Sequence, residues 1–231
     1  MQIDILSLFP EYFDGPFKVS MLKRAIERGL IDIRMTNIRD FGEGKHLKVD
    51  DRPYGGGAGM VLMPGPTTQA IRSVKKEGSH VIYLSPQGKR LDAATCERLA
   101  KMPHLVLVCG HYEGLDERVI TSEIDEEISI GDYVLTNGCL SSIVLVDATV
   151  RFIPGVLGHD EATKYESFQQ GIFEGPSYTR PDEFEGKWVP EVLRSGHHAE
   201  IEKWRAQEGL EKTKRVRPDL IHDKQFMKCQ N

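Results

Sequence analysis

Three short glycine- and proline-bearing segments stand where main-chain groups could grip a small molecule. They are Ser85-Pro86-Gln87-Gly88-Lys89, Gly110-His111-Tyr112-Glu113-Gly114 and Ser129-Ile130-Gly131-Asp132-Tyr133. Each follows a run that reads as a β-strand. In a parallel sheet, ligands bind beyond the carboxyl ends of the strands. Glycine lets backbone N–H and C=O groups approach such a ligand closely. One such loop would be an ordinary turn; three in succession predict a shared site. A fourth loop runs from Asp50 to Gly59, and four of its last five residues are glycine. It carries no GxxxxGK[ST] and opens no strong helix, which argues against a P-loop or a dinucleotide fingerprint. It reads instead as a cover over an active site. The four cysteines, Cys96, Cys109, Cys139 and Cys229, are widely spaced without a CxxC pair. That spacing fits neither a zinc cluster nor a disulfide framework, and the thiols read as buried or idle.

The elements that must hold these loops follow from the hydrophobic pattern. Ile3–Phe9 reads as a buried strand. Phe17, Met21, Leu22, Ala25 and Ile26 recur at helical spacing, with Gly29 placed as a cap. Ile31–Ile38 alternates like a strand. Pro66–Lys76 is a helix with Ala70, Ile71 and Val74 on one face. His80–Ser85 and His104–Cys109 are strands on either side of a helix that Asp92 caps and Pro103 stops. Leu140–Arg151 reads either way: its β-branched content favours a strand, whereas Leu140, Val144 and Ala148 share one face of a helix. This βαβα rhythm predicts a mostly parallel sheet covered on both faces. Residues 155–190 lose periodicity and are rich in Gly, Pro, Glu and aromatics. A helix over His198–Leu210 follows, with Ile201 and Trp204 inward and Lys203, Arg205 and Gln207 outward.

Charge adds a second clue. The chain of 231 residues carries a net −5, which alone speaks against a nucleic-acid partner. Residues 201–231, however, hold eight Lys or Arg against five Asp or Glu, so this end is +3 and residues 1–200 are −8. A basic end on an acidic body can supply a phosphate-binding face. The start of the chain lacks the basic-then-apolar pattern of a signal peptide, and its apolar runs are too short to span a bilayer. A cytoplasmic protein without a membrane partner is expected.

Eight segments in order resemble the bacterial tRNA (guanine-N1-)-methyltransferase family, TrmD, of the SPOUT superfamily. They are Asp50–Met60, Leu84–Gly88, Cys109–Gly114, Glu117–Arg118, Glu123–Leu135, Arg151–Gly158, Tyr178–Pro181 and Ser195–Arg205. The likeness runs from Ile3 to about Asp219. It implies an α/β fold: a SPOUT-type parallel sheet with a deep C-terminal trefoil knot, plus a small helical C-terminal domain. The implied division is a methyltransferase domain over 1–160, a flexible linker over 161–175 and a helical tRNA-binding domain over 176–231. The methyl donor S-adenosylmethionine would lie bent in the knot. The implied donor residues are Leu84, Ser85, Pro86, Gln87, Gly88, Gly110, Tyr112, Glu113, Ser129, Ile130, Gly131, Asp132, Tyr133, Val134, Leu135 and Gly138. The implied tRNA contacts are Asp50, Gly59, His111, Glu113, His197, His198, Lys203 and Arg205. His197-His198 looks like a metal pair, but neighbours on a helix diverge, so capping or RNA contact is the better reading. The family's Mg²⁺ requirement carries over as an expectation; no acidic cluster marks a dedicated site, and Mg²⁺ keeps most of its waters. An obligate homodimer with shared active sites is implied as well.

The target implied is the guanosine immediately 3′ of the anticodon, methylated at N1. Guanine N1 carries a hydrogen at neutral pH, so a base must take it while charge builds on O6. By resemblance the base is Glu166, which stands where the family usually has Asp; Asp160 is the weaker candidate. Arg151 matches the arginine near O6. Two further positions depart from the family pattern. Asn137-Gly138-Cys139-Leu140-Ser141-Ser142 replaces the usual Gly-Gly-Glu-Leu-Pro-Ala, and His111 stands where many relatives have Arg. The latter removes a permanent charge and makes binding sensitive to pH near neutrality. These departures leave, as the alternative, a tRNA- and S-adenosylmethionine-binding protein with weakened catalysis.

Overall fold

The computed structural model of the chain describes residues 1–159 and 162–221. The chain separates into two compact units, Met1–Gly158 and His159–Asn231.

In the first unit the strands are β1 (Gln2–Ser7), β2 (Asp32–Asn37), β5 (Ser79–Arg90), β6 (His104–Cys109) and β7 (Glu126–Ser129). They form one sheet in the order β2-β1-β6-β5-β7, with every pairing parallel. The shortest strands, β3 (Asp50–Asp51) and β4 (Val61–Leu62), make a separate antiparallel pair. The helices are α1 (Ser20–Glu27), α2 (Pro64–Val74), α3 (Ala93–Ala100), α4 (Glu117–Glu123) and α5 (Cys139–Val150). Side chains alternate across a strand, and here both faces are buried. Ile3, Ile5, Ile82, Leu84, Leu105 and Leu107 share a core with Leu22 and Ala25 of α1, Leu99 of α3, and Leu145, Val146 and Val150 of α5. Leu6, Val81, Tyr83, Val106 and Val108 face Ala70 and Ile71 of α2 and Val119 of α4. The result is the expected three-layer α/β arrangement.

Two polar devices fix the sheet. The Asp92 carboxylate accepts from the Thr95 amide at 2.7 Å and starts α3, as its sequence position predicts. At the amino ends of the strands, buried His104 bridges Asp4 (Nε2 to Oδ2, 2.7 Å) and Ser79 (Nδ1 to Oγ, 2.7 Å).

Several expectations need correction. Leu140–Arg151 is a helix, but Leu140 and Val144 lie on its exposed face, at 46% and 45% exposure. The inward face is Cys139, Ser142, Leu145, Val146, Thr149 and Val150. This helix is apolar on nearly all sides, so apolarity alone does not pick the buried face. The segment 85–88 is not a βα turn either. Leu84 and Lys89 both pair with Ile128, so β5 leaves β7, loops out for four residues and returns to the same strand.

The second unit contains the two-strand ribbon β8 (Glu183–Phe184) and β9 (Lys187–Trp188), a short helix α6 (Glu191–Arg194) and α7 (His198–Val216). The ribbon falls in the stretch read as irregular. The helix α7 runs beyond the predicted Leu210 to Val216, and Gly209 within it is a close contact point with the Phe173 backbone. Buried Thr213 donates to the Gly209 carbonyl at 2.7 Å and accepts from the Phe173 amide at 2.8 Å. A Cβ on Gly175 would sit 2.7 Å from the Arg205 carbonyl oxygen. Residues 173–175, assigned to the linker in the sequence, are thus packed along α7.

Candidate active site

The three loops meet. A cleft of about 260 Å³ opens beyond the carboxyl ends of β5, β6 and β7. Its walls come from Leu84–Gln87, Gly110–Gly114 and Ser129–Gly131, with Tyr133–Gly138 and Ser141 closing it. Each loop is held by its own polar contacts. The Ser85 hydroxyl accepts from the Gln87 amide at 3.1 Å. The Ser129 hydroxyl accepts from the Gly131 amide at 3.2 Å and donates to the Gly131 carbonyl at 3.0 Å. Gly88 is required where the bulge rejoins β7, since a Cβ would fall 2.5 Å from the Glu127 and Ile128 backbone. A larger hollow of about 570 Å³, lined by Phe13, Phe17, Ile26, Ile33 and Met35, lies elsewhere. Its charged lining, Asp14, Lys18, Lys23 and Glu27, is taken up in ion pairs between Lys18 and Asp14 and between Lys23 and Glu27.

Tyr83 supports the middle loop from below. A Cβ on Gly110 or Gly114 would stand 2.9 Å from its ring or hydroxyl. Burial pushes the Tyr83 phenol above its usual range. The same loop is stitched to the end of the glycine-rich segment: the Glu113 amide donates to the Met60 carbonyl at 2.9 Å, and the Leu62 amide to the Gly114 carbonyl at 2.9 Å. Gly59 adopts a positive φ, and any side chain there would overlap the Glu113 carboxylate. The fourth loop therefore ends against the cleft, as a cover must.

The floor is a cluster of sulfur and hydroxyl groups. Cys139, fully buried at the start of α5, has its Sγ 3.2 Å from the Ser7 hydroxyl and 3.9 Å from His111 Nε2. Cys109 Sγ lies 3.0 Å from the Ser142 hydroxyl. Hydrogen bonding from Cys109, helped by His111 and Ser7, outweighs burial and brings the Cys139 thiol down to about 5. Burial drives Cys109 the other way, well above the usual thiol range, so Cys109 keeps the proton of the pair. The Asn137 side chain accepts from the Cys139 amide at 2.9 Å and caps α5. The Gly138 amide donates to the Gly110 carbonyl at 2.9 Å, which sutures the last loop to the middle one.

A family profile described as tRNA (Guanine-1)-methyltransferase TrmD matches residues 1–223. The chain belongs to the TrmD family. It is 61% identical to the tRNA (guanine-N(1)-)-methyltransferase of Protochlamydia amoebophila, over 96% of this chain and all of that protein. It is 60% identical to the protein of the same name from Chlamydia pneumoniae and 58% identical to that of Chlamydia trachomatis serovar D, each over 95% of this chain. It spans about three fifths of the length of those two Chlamydia relatives, 61% and 62% respectively.

For a TrmD-family member, the placement of the expected site residues is informative. Of the implied donor residues, all but Gly88 and Asp132 line the cleft. Gly114, the end of one of the loops singled out in the sequence, lines it as well; Tyr83, Ile128, Thr136, Asn137 and Ser141 line it too, and sequence reasoning missed them. Asn137 and Ser141 lie within a segment singled out only for departing from the family pattern. His111 lines the cleft but is 95% buried, with its ring 5.1 Å from that of Phe9. The two departures, His111 and Cys139, touch each other. Cys96, Cys109 and Cys139 are free and buried, as read from the sequence, and Cys139 in addition stands at a helix start beneath a site loop. Asp50 sits in β3 and is half-buried. Arg151 caps the far end of α5, about 15 Å by helix rise from Ser141, the nearest cleft residue on that helix, and does not line the cleft. In the second unit, His197, His198, Lys203 and Arg205 are exposed along the start of α7, and Glu166 is half-buried. Asp160 and, in the basic tail, Lys224, Lys228 and Cys229 lie outside the described residues. Among the described residues, no group of three or more His, Cys, Asp or Glu could hold a metal ion, and no helix is long and apolar enough to cross a membrane.

Proposed function

We propose that this chain transfers the methyl group of S-adenosylmethionine to N1 of the guanosine immediately 3′ of the anticodon in tRNA. The observation that carries the reading is the convergence of the three family loops on one cleft at the carboxyl edge of a parallel sheet. The cleft fits the donor in kind: Gly110, Gly131 and Gly138 line it with main-chain groups, at positions where an added Cβ would collide with Tyr83, Tyr133 or the Cys109 backbone. The donor brings an electrophilic methyl group. The chain must hold it, exclude water and handle the proton on guanine.

The cleft residues orient the donor, and alignment of two substrates is itself worth a large part of the rate. Glu166 takes the N1 proton, and Arg151 stabilises the charge that develops on O6. Arg151 stands at the opposite end of α5 from the cleft of its own chain. Leu140 and Val144 expose an apolar stripe on the same helix. Both features support a homodimer in which α5 packs against a second copy and each site draws residues from both chains. The return of the chain from β7 to the end of β6, where Asn137 bridges His111, supports a knotted path through the sheet edge. Exposed Lys203, Arg205, His197 and His198 supply the tRNA contact.

The test is methyl transfer from labelled S-adenosylmethionine to tRNA transcripts with and without the target guanosine, with the product mapped by mass spectrometry. Methylation at N1 of that guanosine alone is the expected result. A ribose-methylated product, or tRNA binding with no transfer, overturns the proposal.

A further inference from the structure

Beneath the cleft, one sulfur atom joins segments from three places in the chain. Cys139 begins α5, Ser7 ends β1 and His111 opens the loop after β6. Around this sulfur the backbone is closely sutured. His111 and Asn137 form a bridge, the Gly138 amide reaches the Gly110 carbonyl, and a Cβ on Gly138 would meet the Cys109 Cα at 2.9 Å. Gly110, His111, Asn137, Gly138 and Ser141 all line the cleft directly above.

We infer that Cys139 is a positioning residue for the donor cleft: its sulfur fixes the loop at 110–114 to the first turn of α5 and so sets the spacing of two of the cleft's walls. The inference rests on the cleft being the donor site.

The chemistry of the cluster favours an anionic sulfur. The groups that face it are the Ser7 hydroxyl from β1, the Cys109 thiol from β6 and the His111 imidazole from the loop. Each can donate a hydrogen, and none is a carboxylate. A cluster of donors needs an acceptor at its centre. A thiolate accepts from all of them at once, and the start of a helix favours negative charge. This agrees with a thiol titrating near 5. A serine at this position would stay neutral, bring one more hydrogen and leave one donor without a partner.

The experiment compares the unaltered full-length chain with Cys139→Ser, His111→Gln and His111→Leu. S-adenosylmethionine affinity is measured by calorimetry between pH 5 and pH 8, a window set by the titration near 5, and thiolate absorbance in the far ultraviolet is titrated in parallel. The expected result is a thiolate signal in the unaltered chain that has fallen by about half on acidification to about 5 and is missing in Cys139→Ser. Donor affinity in Cys139→Ser should fall about tenfold or more at neutral pH, the size of one hydrogen bond to a charged group. Because His111 itself lines the cleft, both changes at it should weaken donor binding, but His111→Gln, which keeps an N–H, should lose clearly less affinity than His111→Leu, which should fall as Cys139→Ser does. Should Cys139→Ser fail to fold, the His111 pair decides: equal affinity in Gln and Leu variants overturns the inference. So does a Cys139→Ser variant that binds the donor like the unaltered chain at every pH. If the unaltered chain itself binds no S-adenosylmethionine, the reading of the cleft falls, and this inference with it.

Discussion

Adding one methyl group to Gly138 should disable the cleft without removing any functional side chain. Gly138 has φ −80° and ψ 0°, a conformation open to alanine, so the substitution carries no backbone strain of its own. The clash is purely one of space. The new Cβ would lie 2.9 Å from both the Cys109 Cα and the Gly110 amide nitrogen, and 3.3 Å from the Cys109 carbonyl carbon. These are main-chain atoms at the end of a central strand and cannot swing aside as a side chain would. Relief to ordinary contact requires the 109–110 and 137–139 segments to part by about 0.5 Å. Overpacking of this kind costs about 1–3 kcal/mol. Taken from the bound state, that is roughly a 5- to 150-fold loss of donor affinity. Calorimetric titration with S-adenosylmethionine measures it, with thermal unfolding run alongside. Gly15→Ala is the matched control: it has φ −85° and ψ −59°, with nothing within 4 Å of the added methyl. That variant should bind donor normally and gain up to about 1 kcal/mol of stability. A Gly138→Ala protein with unchanged donor affinity and unchanged unfolding would refute the claim that the suture sets the cleft.

Replacing Glu166 with Gln should abolish methyl transfer while donor binding persists, and Glu166→Asp should retain activity; single-turnover transfer to tRNA measures both. His104→Ala should lower stability by about 1–3 kcal/mol, because the buried Asp4 carboxylate and the Ser79 hydroxyl lose a partner at 2.7 Å. Urea unfolding measures that loss, and donor affinity of the folded variant should hold, since this network lies at the opposite ends of the strands. The Glu126 carboxyl lies below its ordinary range: burial raises it, but hydrogen bonds from His80 and Arg98 outweigh that effect. A depressed carboxyl contributes stability that is present above its unfolded value and is lost as the pH falls through the folded one. Arg98→Ala should therefore cost at most about 1 kcal/mol at neutral pH, after discounting for solvent screening. The cost should shrink in acid; a constant difference from neutral to acid pH would count against this account.

Much of the fold is legible where one physical signal dominates. The strand His104–Cys109 is buried throughout and bounded by a proline and a glycine, so its limits are readable to the residue. Asp92 is legible because capping is local chemistry. Where burial depends on distant partners, the sequence misleads. The helix from Cys139 to Val150 offers apolar residues on both sides, and only the packed sheet decides that Leu140 and Val144 face outward. Gly209 lies inside the predicted helix, but only the folded chain shows that it admits the Phe173 backbone to the middle of α7. The convergence of the loops after β6 and β7 is legible from their position after strands, whereas the 85–88 excursion within β5 is fixed only by its pairing with β7. The role of Cys139 is not legible, because an isolated cysteine signals nothing until Ser7, more than a hundred residues away, is found 3.2 Å from its sulfur.

The re-pairing of Lys89 with Ile128 bears on how a ligand enters. Both feet of the 85–88 excursion stand on the same neighbouring strand, so that jaw of the cleft cannot hinge. The opposing stretch through Tyr133 and Val134 is exposed at 55% and 81% and has no such double footing. A compound wedged beneath Val134 is therefore expected to slow donor release more than one set against the 85–88 excursion, which dissociation kinetics measures.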